Sequence, residues 1–301
     1  MASVKQWIFA CRLRTLFLAA ASVILGSSLA WQQGAFSTHT FMLAFLLAVT
    51  LQILANLAND LGDYLMGTDT TGRREGPIRA LQGGCITVGA MKKAIAAGVM
   101  LCIALGLTLI FTAPGIAMGS TTLIFLLLGG ASILAALLYT MGRHAYGYRG
   151  WGDLFAFFFF GPVPVIGTYF LHSGSFDARP LLPAIGLGLI SSLVLNVNNM
   201  RDIDNDRASG KITIAVKLGL KNAKRYHALM TLSSFLCFTA FNLFYMAASP
   251  LSYLYLLIFI KLFQIMIAIN QREGRTLDPY LKQTSLVGFL LSLAFALSIN
   301  L

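Results

Sequence analysis

Apolar residues run along this chain in long unbroken blocks, with neither a two-residue alternation nor a narrow helical stripe. No Asp, Glu, Lys or Arg occurs within 94–142, 154–176, 180–200, 226–260 or 283–301. Each block is long enough for one or two helices across a bilayer core of roughly 30 Å, which takes ~20 apolar residues. Hydrocarbon offers the peptide group no hydrogen-bond partner, so a spanning segment is either a helix or a strand of a closed barrel. Continuous blocks without alternation predict helices. Nine spans are expected, near 15–33, 41–63, 94–113, 118–141, 153–172, 181–200, 226–247, 251–270 and 284–301. Turn chemistry separates them at Gln32-Gln33-Gly34, Pro114-Gly115, Ser173-Gly174-Ser175 and Ser249-Pro250. Pro162 and Pro164 lie inside the fifth span, which should bend there. The expected class is all-α: a polytopic membrane protein forming one integral-membrane domain over residues 1–301.

Composition and charge sharpen this reading. Residues are 57% hydrophobic and 11% charged, against about 25% charged in a soluble domain. A net charge of +11 could suit nucleic acid, but its distribution argues otherwise. Of 22 basic residues, 20 fall in connections on one side of the predicted bundle, leaving Arg179 on the other side and Lys261 within the eighth span. That asymmetry is the positive-inside pattern. It places the N-terminus and the basic loops in the cytoplasm, the C-terminus outside, the protein in the inner membrane, and no nucleic acid among its partners. Arg12, Arg14 and the following Ser28-Leu29-Ala30 have the look of a cleaved signal. Removing that span would break the alternation of loop charge, so it is read as retained. Cys11, Cys85, Cys102 and Cys237 show no CxxC spacing, and neither a disulfide framework nor a thiolate metal site is expected. His39, His144, His172 and His227 sit near predicted span ends and are read as interfacial, while Lys261 either snorkels or pairs with an internal carbonyl.

The acids carry the chemistry. Six of the eleven lie in two clusters, Asp60, Asp63 and Asp69, then Asp202, Asp204 and Asp206, each where an even-numbered span meets the basic side. Ionised groups at membrane depth are costly and are kept for function. Asn56, Asn59, Asp60 and Asp63 share one helix face by their three- and four-residue spacing. Gly67 then ends that helix and lets Asp69 fold back from the loop. Asn198, Asp202 and Asp206 repeat every four residues, whereas Asp204 lies about 200° around from Asp202 and faces solvent. The same device used twice, four spans apart, suggests a duplicated four-helix unit with a ninth helix added. Carboxylates flanked by Asn suit a hard cation such as Mg²⁺, which takes oxygen ligands and is commonly completed by substrate phosphates. Arg73, Arg74 and Arg79 follow the first cluster, and Arg201, Arg207 and Lys211 lie in and after the second. Acids for metal and bases for phosphate at a membrane surface describe a diphosphate site for a lipidic substrate.

At these residues the chain resembles the UbiA-type intramembrane prenyltransferases, and within them the branch of menaquinone biosynthesis. The similarity runs from Trp7 to the ninth span. Asn56-Leu-Ala-Asn-Asp-Leu-Gly-Asp63-Tyr-Leu-Met-Gly67-Thr-Asp69 resembles the first aspartate motif with the Gly-Thr-Asp ending of that branch, followed by Gly76-Pro77-Ile-Arg79. Tyr146-Gly-Tyr148-Arg-Gly-Trp-Gly-Asp153 resembles the central loop, and Asn198-Asn199-Met-Arg201-Asp202-Ile-Asp-Asn-Asp206 with Gly210-Lys211 the second motif. Two places depart from the pattern. Arg12-Leu-Arg14-Thr lacks the prolines common there, and Tyr139-Thr-Met-Gly-Arg143 has Arg where many members have Lys. An arginine still binds phosphate but cannot act as a base.

The resemblance implies a prenyltransferase-like bundle using a polyprenyl diphosphate donor and a 1,4-dihydroxy-2-naphthoate acceptor, in contact with membrane lipid. It implies Mg²⁺, two ions bridged by the diphosphate, on Asp63, Asp69, Asp202 and Asp206 with Asn59 and Asn198. Arg79, Arg143 and Lys211 would contact the diphosphate. Asn56, Asp60, Tyr139, Tyr146, Tyr148, Asp153, Asn199 and Arg201 would complete the substrate site. The run Phe155–Phe160 could shield an allylic cation, although aromatics all round a helix are mostly packing. Rival readings are another acceptor such as 4-hydroxybenzoate, and an anion transporter. A transporter would set its charges at mid-bilayer on broken helices, not at one edge.

The charge argument has a direct check. With all native cysteines replaced, a cysteine at position 173 should react with an impermeant thiol reagent on intact cells, and one at position 209 should not. The opposite pattern would overturn the assigned topology.

Overall fold

The computed structural model describes residues 2–72, 74–246 and 250–301. Arg73 and Ser249, singled out above as a loop cation and a turn residue, lie outside the described residues. Among those described there is no strand, and nine helices are long and apolar enough to cross a membrane. They are α1 (Val4–Gln32), α2 (Thr38–Leu65), α3 (Val88–Thr112), α4 (Ser120–Leu138), α5 (Gly152–Ser173), α6 (Leu181–Arg201), α7 (Ile214–Tyr245), α8 (Pro250–Asn270) and α9 (Gly274–Asn300). The chain is a multi-pass membrane protein.

Three helices start ten or more residues before their apolar runs. In α1 the first turn is capped by Ser3, whose hydroxyl accepts from the Gln6 amide while the Gln6 side chain accepts from the Ser3 amide. A break at Arg12 (φ 48°) then separates this turn from the main helix. Thr213 caps α7, whose first turns carry Lys217, Lys221, Lys224 and Arg225 and break at Gly219. In α9 a short 3-10 turn leads into Asp278–Asn300. Helical caps and polar first turns extend a helix beyond the membrane, where an apolar-run criterion does not register it. The expected bend in α5 falls at Gly161 (φ −112°, ψ −99°), and Pro162 opens the next segment at a first-turn position that lacks an amide partner anyway.

Packing is similar but not identical in the two halves. In the first, α2 packs on α1, α3 and α4; in the second, α6 packs on α5 and α7, and α8 is reached through α7. Each half therefore presents its motif at the C-terminal end of its second helix, α2 and α6. The ninth helix has no counterpart and lies against both α1 and α6. The largest buried cluster gathers Leu25, Leu187, Phe238, Phe259 and Phe295 from α1, α6, α7, α8 and α9, and a smaller one joins Leu54 and Leu61 of α2 to Met91 of α3. Leu127, Leu236 and Ile260 are among the large apolar side chains on the outer surface, as a lipid-facing exterior requires.

Two expectations are corrected here. His172 and His227 are buried rather than interfacial. His172 bonds Ser27 Oγ at 3.0 Å and accepts from the Ser37 amide at 3.1 Å, so it ties together α1, the turn before α2, and α5. His227 is interior because α7 begins well before it. Lys261 faces outward from α8, so it has not folded back onto a carbonyl within the bundle.

Tight seams come from small residues, which let backbones approach closely. A Cβ on Gly188 of α6 would stand 2.6 Å from the Phe157 carbonyl oxygen of α5. Gly188→Ala should therefore cost about 1–3 kcal/mol by overpacking, read as a lower thermal midpoint in detergent. An unchanged midpoint would show that the α5–α6 seam has slack.

Candidate active site

Both motifs converge at one end of the bundle. Asp63 projects from the last turns of α2, and Gly67 ends the helix in the left-handed region (φ 78°), which Gly adopts without a Cβ penalty. That turn brings Asp69 back from a 3-10 turn into contact with Arg74 Nη1 (2.8 Å) and near Arg79 Nη1 (3.6 Å). Arg79 reaches Asp63 Oδ2 at 2.5 Å and donates to the Asn59 carbonyl at 3.0 Å. Asp60 Oδ2 accepts from the Ala80 amide at 3.2 Å. The 66–87 loop is thus folded onto its own helix by the carboxylates it follows.

The second motif does not continue as one helix. α6 stops at Arg201, Asp202 leaves helical geometry (φ −98°, ψ 17°), and a short helix Ile203–Ala208 follows. Asp202 and Asp206 are nevertheless both buried, and Asp204 is exposed beside Arg207. The break turns Asp206 toward Lys211, whose Nζ lies 4.0 Å from Asp206 Oδ1 and 3.7 Å from Asp63 Oδ2. Lys211 accordingly bridges the two motifs. Asp202 Oδ1 accepts from the Gly76 amide at 3.2 Å, and Thr71 donates to Asn205, so the first loop also closes on the second motif.

The central loop supplies the third wall. Gly62 in the first motif packs directly on Thr140, leaving no room for a Cβ. This close approach carries the following loop over α2, where Tyr148 Oη donates to Asp63 Oδ1 at 2.7 Å and lies 2.5 Å from Thr68 Oγ1. The Tyr139 and Tyr148 rings also flank Lys211 Nζ, at 5.9 Å and 5.4 Å from their centroids. Tyr146 Oη donates to the Ala135 carbonyl at 2.8 Å.

A cavity of about 390 Å³ begins at this cluster and runs between α1, α2, α4, α5 and α6 into the apolar interior. Its polar end is lined by Arg12, Arg14, Asn59, Arg79, Asn198 and Lys211. Beyond them, Tyr139, Tyr146, Phe155 and Phe159 form one wall, with Tyr146 stacked on Phe155 at 3.9 Å and Phe155 on Phe159 at 5.8 Å. Phe155 and Phe159 are four residues apart on the cavity face of α5, whereas Phe157 packs toward α6. The structure thereby sorts a run of phenylalanines that the sequence left undivided.

Several residues stand apart from this arrangement. Arg143 is exposed on a turn, outside the cavity lining, so it is not brought to the cluster. Arg12 and Arg74 stand at the cluster with Arg79, Arg201 and Lys211. Asp153 and Asn199 are buried and, like the motif carboxylates Asp63, Asp69, Asp202 and Asp206, do not line the cavity, but unlike them they make no ion pair with the basic cluster. Asp153 sits in the first turn of α5 on the side of Ser192, which donates to its carbonyl at 3.1 Å. Asn56 lines the cavity but spends its amide on the Cys11 carbonyl and Thr15 hydroxyl, both at 2.8 Å. Those bonds brace the break at Arg12, the one non-glycine at positive φ among the described residues. Such strain persists where the surroundings over-determine it, and here it turns Arg12 toward Asn59. Asp278, from α9, pairs with Arg201 and Arg14. No local pattern announced it; Arg12 was legible only as part of the charged segment beside the first span.

Electrostatics follow from burial. Burial lifts the Asp206 carboxyl to about 6, against the opposing charge of Lys211. Burial likewise raises Asp69, with Arg79 opposing. For Asp202 burial is outweighed by hydrogen bonds and charge from Arg201, which hold it below the ordinary range. Burial alone would lower Lys211, but Asp63 and Asp206 keep it above its ordinary value. A hard cation fits this donor set. Asp60 Oδ1, Asp69 Oδ2 and Asp206 Oδ2 are buried oxygens without a hydrogen bond. Among the described residues no three acidic, His or Cys side chains converge into a ready-made cage. Mg²⁺ would therefore need waters and substrate phosphates to complete its shell.

Comparison with known proteins agrees with the fold. A model of the UbiA prenyltransferase family matches residues 19–297. The chain is 40% identical to 1,4-dihydroxy-2-naphthoate octaprenyltransferase of Escherichia coli (strain K12), over 99% of this chain and 96% of that protein. Among solved structures it resembles the apo UbiA homologue from Aeropyrum pernix K1 with a TM-score of 0.70, at 17% identity over 96% of this chain and 98% of that one. It also resembles the UbiA homologue from Archaeoglobus fulgidus bound to DMAPP and Mg²⁺, with a TM-score of 0.63, at 15% identity over 96% and 98%.

Asp63 is as much a structural counter-charge as a candidate ligand. Asp63→Asn leaves Arg79 and Lys211 facing no full charge at that position, and breaking a buried pair costs about 3–5 kcal/mol. The thermal midpoint in detergent should fall, and inorganic diphosphate should restore more of it than it adds to the unaltered protein. Equal midpoints, with or without diphosphate, would refute the pairing.

Proposed function

The chain belongs to the UbiA prenyltransferase family, and from that premise we propose that it transfers a polyprenyl group from polyprenyl diphosphate to 1,4-dihydroxy-2-naphthoate, releasing carbon dioxide and giving demethylmenaquinol, the hydroquinone that a separate oxidation converts to demethylmenaquinone. The observation that carries this reading is one continuous cavity, charged at its mouth by Arg12, Arg79 and Lys211 and apolar beyond them. It matches a substrate with a diphosphate head and an isoprenoid tail. Near-full-length identity to the Escherichia coli naphthoate enzyme supports the choice of acceptor.

Each group then has a task. Arg79 and Lys211 bind the diphosphate, with Arg12 and Arg74 adding positive potential where negative charge develops as the allylic C–O bond breaks. Asp63, Asp69, Asp202 and Asp206, with Asn59 and Asn198, would hold Mg²⁺, two ions in this reading, and the Archaeoglobus homologue is itself bound to DMAPP and Mg²⁺. Magnesium supplies neutralisation of the departing diphosphate. Tyr139, Tyr146, Phe155 and Phe159 offer π faces to the allylic cation beyond the cluster, and their apolar surroundings exclude water that would trap it. The ring carbon bearing the acceptor's carboxylate forms the new C–C bond. The C–CO₂ bond then breaks, and its electron pair restores the aromatic ring. Rearomatisation by this route needs no general base.

The charge asymmetry supports an N-terminus in the cytoplasm and an active site opening to the cytoplasmic face of the bacterial inner membrane. Membranes containing the protein, incubated with Mg²⁺, labelled polyprenyl diphosphate and a panel of aromatic acids, should give a decarboxylated prenyl product from 1,4-dihydroxy-2-naphthoate and little from 4-hydroxybenzoate. Equal or better use of 4-hydroxybenzoate, or a product keeping its carboxylate, would overturn the acceptor assignment. EDTA should stop turnover, and Phe155→Ala should lower kcat by about tenfold if its ring contributes roughly 1–2 kcal/mol to the cationic state.

A further inference from the structure

α9 stands outside the repeated half-units, yet it contributes a side chain to the site. Asp278 occupies the first turn of its long segment Asp278–Asn300, followed by Pro279. Its carboxylate is divided between two arginines from different helices. Oδ1 receives Arg201 Nη1 from the end of α6, and Oδ2 lies 3.4 Å from Arg14 Nη1 in α1. The same helix also holds Arg14 through its backbone, because Ser285 Oγ donates to the Arg14 carbonyl at 3.0 Å.

Arg201 is the pivot of this arrangement. Its side chain is 1% exposed, and its remaining donors are committed to the second motif. Nε reaches Asp202 Oδ1 at 3.1 Å, while Nη2 reaches Asp202 Oδ2 at 2.6 Å and Asn198 Oδ1 at 2.9 Å. The first loop lies directly over the guanidinium: a Cβ on Gly76 would come within 2.6 Å of Nη2, and the Gly76 amide donates to Asp202 Oδ1. Arg201 therefore orients Asp202 and Asn198 together, both of which the proposed reading assigns to Mg²⁺. A rigid guanidinium fork transmits whatever fixes its third nitrogen, and that nitrogen is fixed by Asp278.

We propose that Asp278 is a positioning residue for the metal and diphosphate site: it draws Arg201 toward α9, fixes the geometry of Asp202 and Asn198, and seats Arg14 at the cavity mouth. The residue touches neither substrate nor metal. Without its charge, Arg201 is compensated by Asp202 alone, and Asp202 becomes a poorer partner for a cation. Loss of an outer carboxylate that orients ligating groups commonly costs 10–100-fold in metal affinity. The same change releases Arg14 from one of its two attachments to α9.

This inference rests on the prenyl-transfer reading of the site, and its test separates the two. Wild type, Asp278→Ala, Asp278→Asn and Asp278→Glu are purified in detergent. The thermal midpoint of each is followed as Mg²⁺ is titrated in the presence of a prenyl thiodiphosphate, a slowly reacting donor analogue. Turnover is measured against Mg²⁺ in parallel. Asp278→Ala should shift the Mg²⁺ concentration for half-maximal stabilisation upward by about tenfold or more, with an equal shift in turnover. Asp278→Glu, which keeps the charge, should recover more of the shift than Asp278→Asn. Asp177→Asn, at the opposite end of the bundle beside Arg179, should leave both curves in place. A lower midpoint for Asp278→Ala with an unmoved Mg²⁺ curve would reduce Asp278 to a structural brace and overturn the proposal. A wild type that is stabilised by Mg²⁺ and the analogue but never transfers a prenyl group would overturn the functional reading instead.

Discussion

Charge buried at the edge of a membrane has to be compensated within the protein, because neither lipid nor bulk water is there to do it. Five carboxylates, Asp60, Asp63, Asp69, Asp202 and Asp206, are almost fully buried at one end of this bundle. Arg79 and Lys211 cross between them, Arg74 closes on Asp69, and Arg201 holds Asp202. Arg201 and Asp202 are chain neighbours at the end of α6, and Arg74 and Asp69 lie in one loop, but the pairs of Arg79 and Lys211 with Asp63 join separate elements. The 66–87 loop needs Asp60 and Asp63 to fold, the central loop needs Asp63 to receive Tyr148, and the second motif needs Lys211 to reach back to the first. Closing the bundle and assembling the site are consequently the same event.

That coupling explains the division of labour between rigid and irregular parts. The helices provide the apolar cavity, and α5 sets Phe155 and Phe159 on its face by a four-residue step. The loops, held by ion pairs, provide the polar end. An intramembrane transferase has to hold a polyanion and a hydrocarbon chain in one line, and the line here passes from Lys211 along the π faces of Tyr139 and Tyr146 into the bundle. Helix ends are where such a transition is cheapest, since their free backbone groups already face the polar side.

Two similar halves would by themselves leave a seam beneath the cavity. α9 packs on α1 from the first half and α6 from the second, adding Phe295 to the largest core cluster and Leu281 to the cavity wall. Asp278 extends the same bridging to the charged layer. Apolar packing below and an ion-pair triad above thus join the halves along one helix.

Much of this protein is determined by its sequence read alone. Uninterrupted apolar runs leave a spanning helix as the one way to satisfy the backbone, and the loop charges order the spans. The three- and four-residue spacing of Asn56, Asn59, Asp60 and Asp63 places them on one face, and Gly67 marks where Asp69 must turn back; both follow from helix geometry, which is local. Other features are not local, and tertiary structure decided them. Asp202 and Asp206 read as an unbroken stripe, yet the helix breaks at Asp202 so that Asp206 can meet Lys211. Asp153 and Arg143 belong to motifs by spacing, but the rotation of α5 and the exit of the turn after α4 carry them off the cavity. Arg12 enters the site through a strained backbone held by Asn56, and Asp278 through a pairing with Arg201 77 residues away in the chain. Helix periodicity specifies which residues share a face. Which faces meet, and which charge finds which partner, depends on how nine helices pack around one cavity, and no window of sequence contains that.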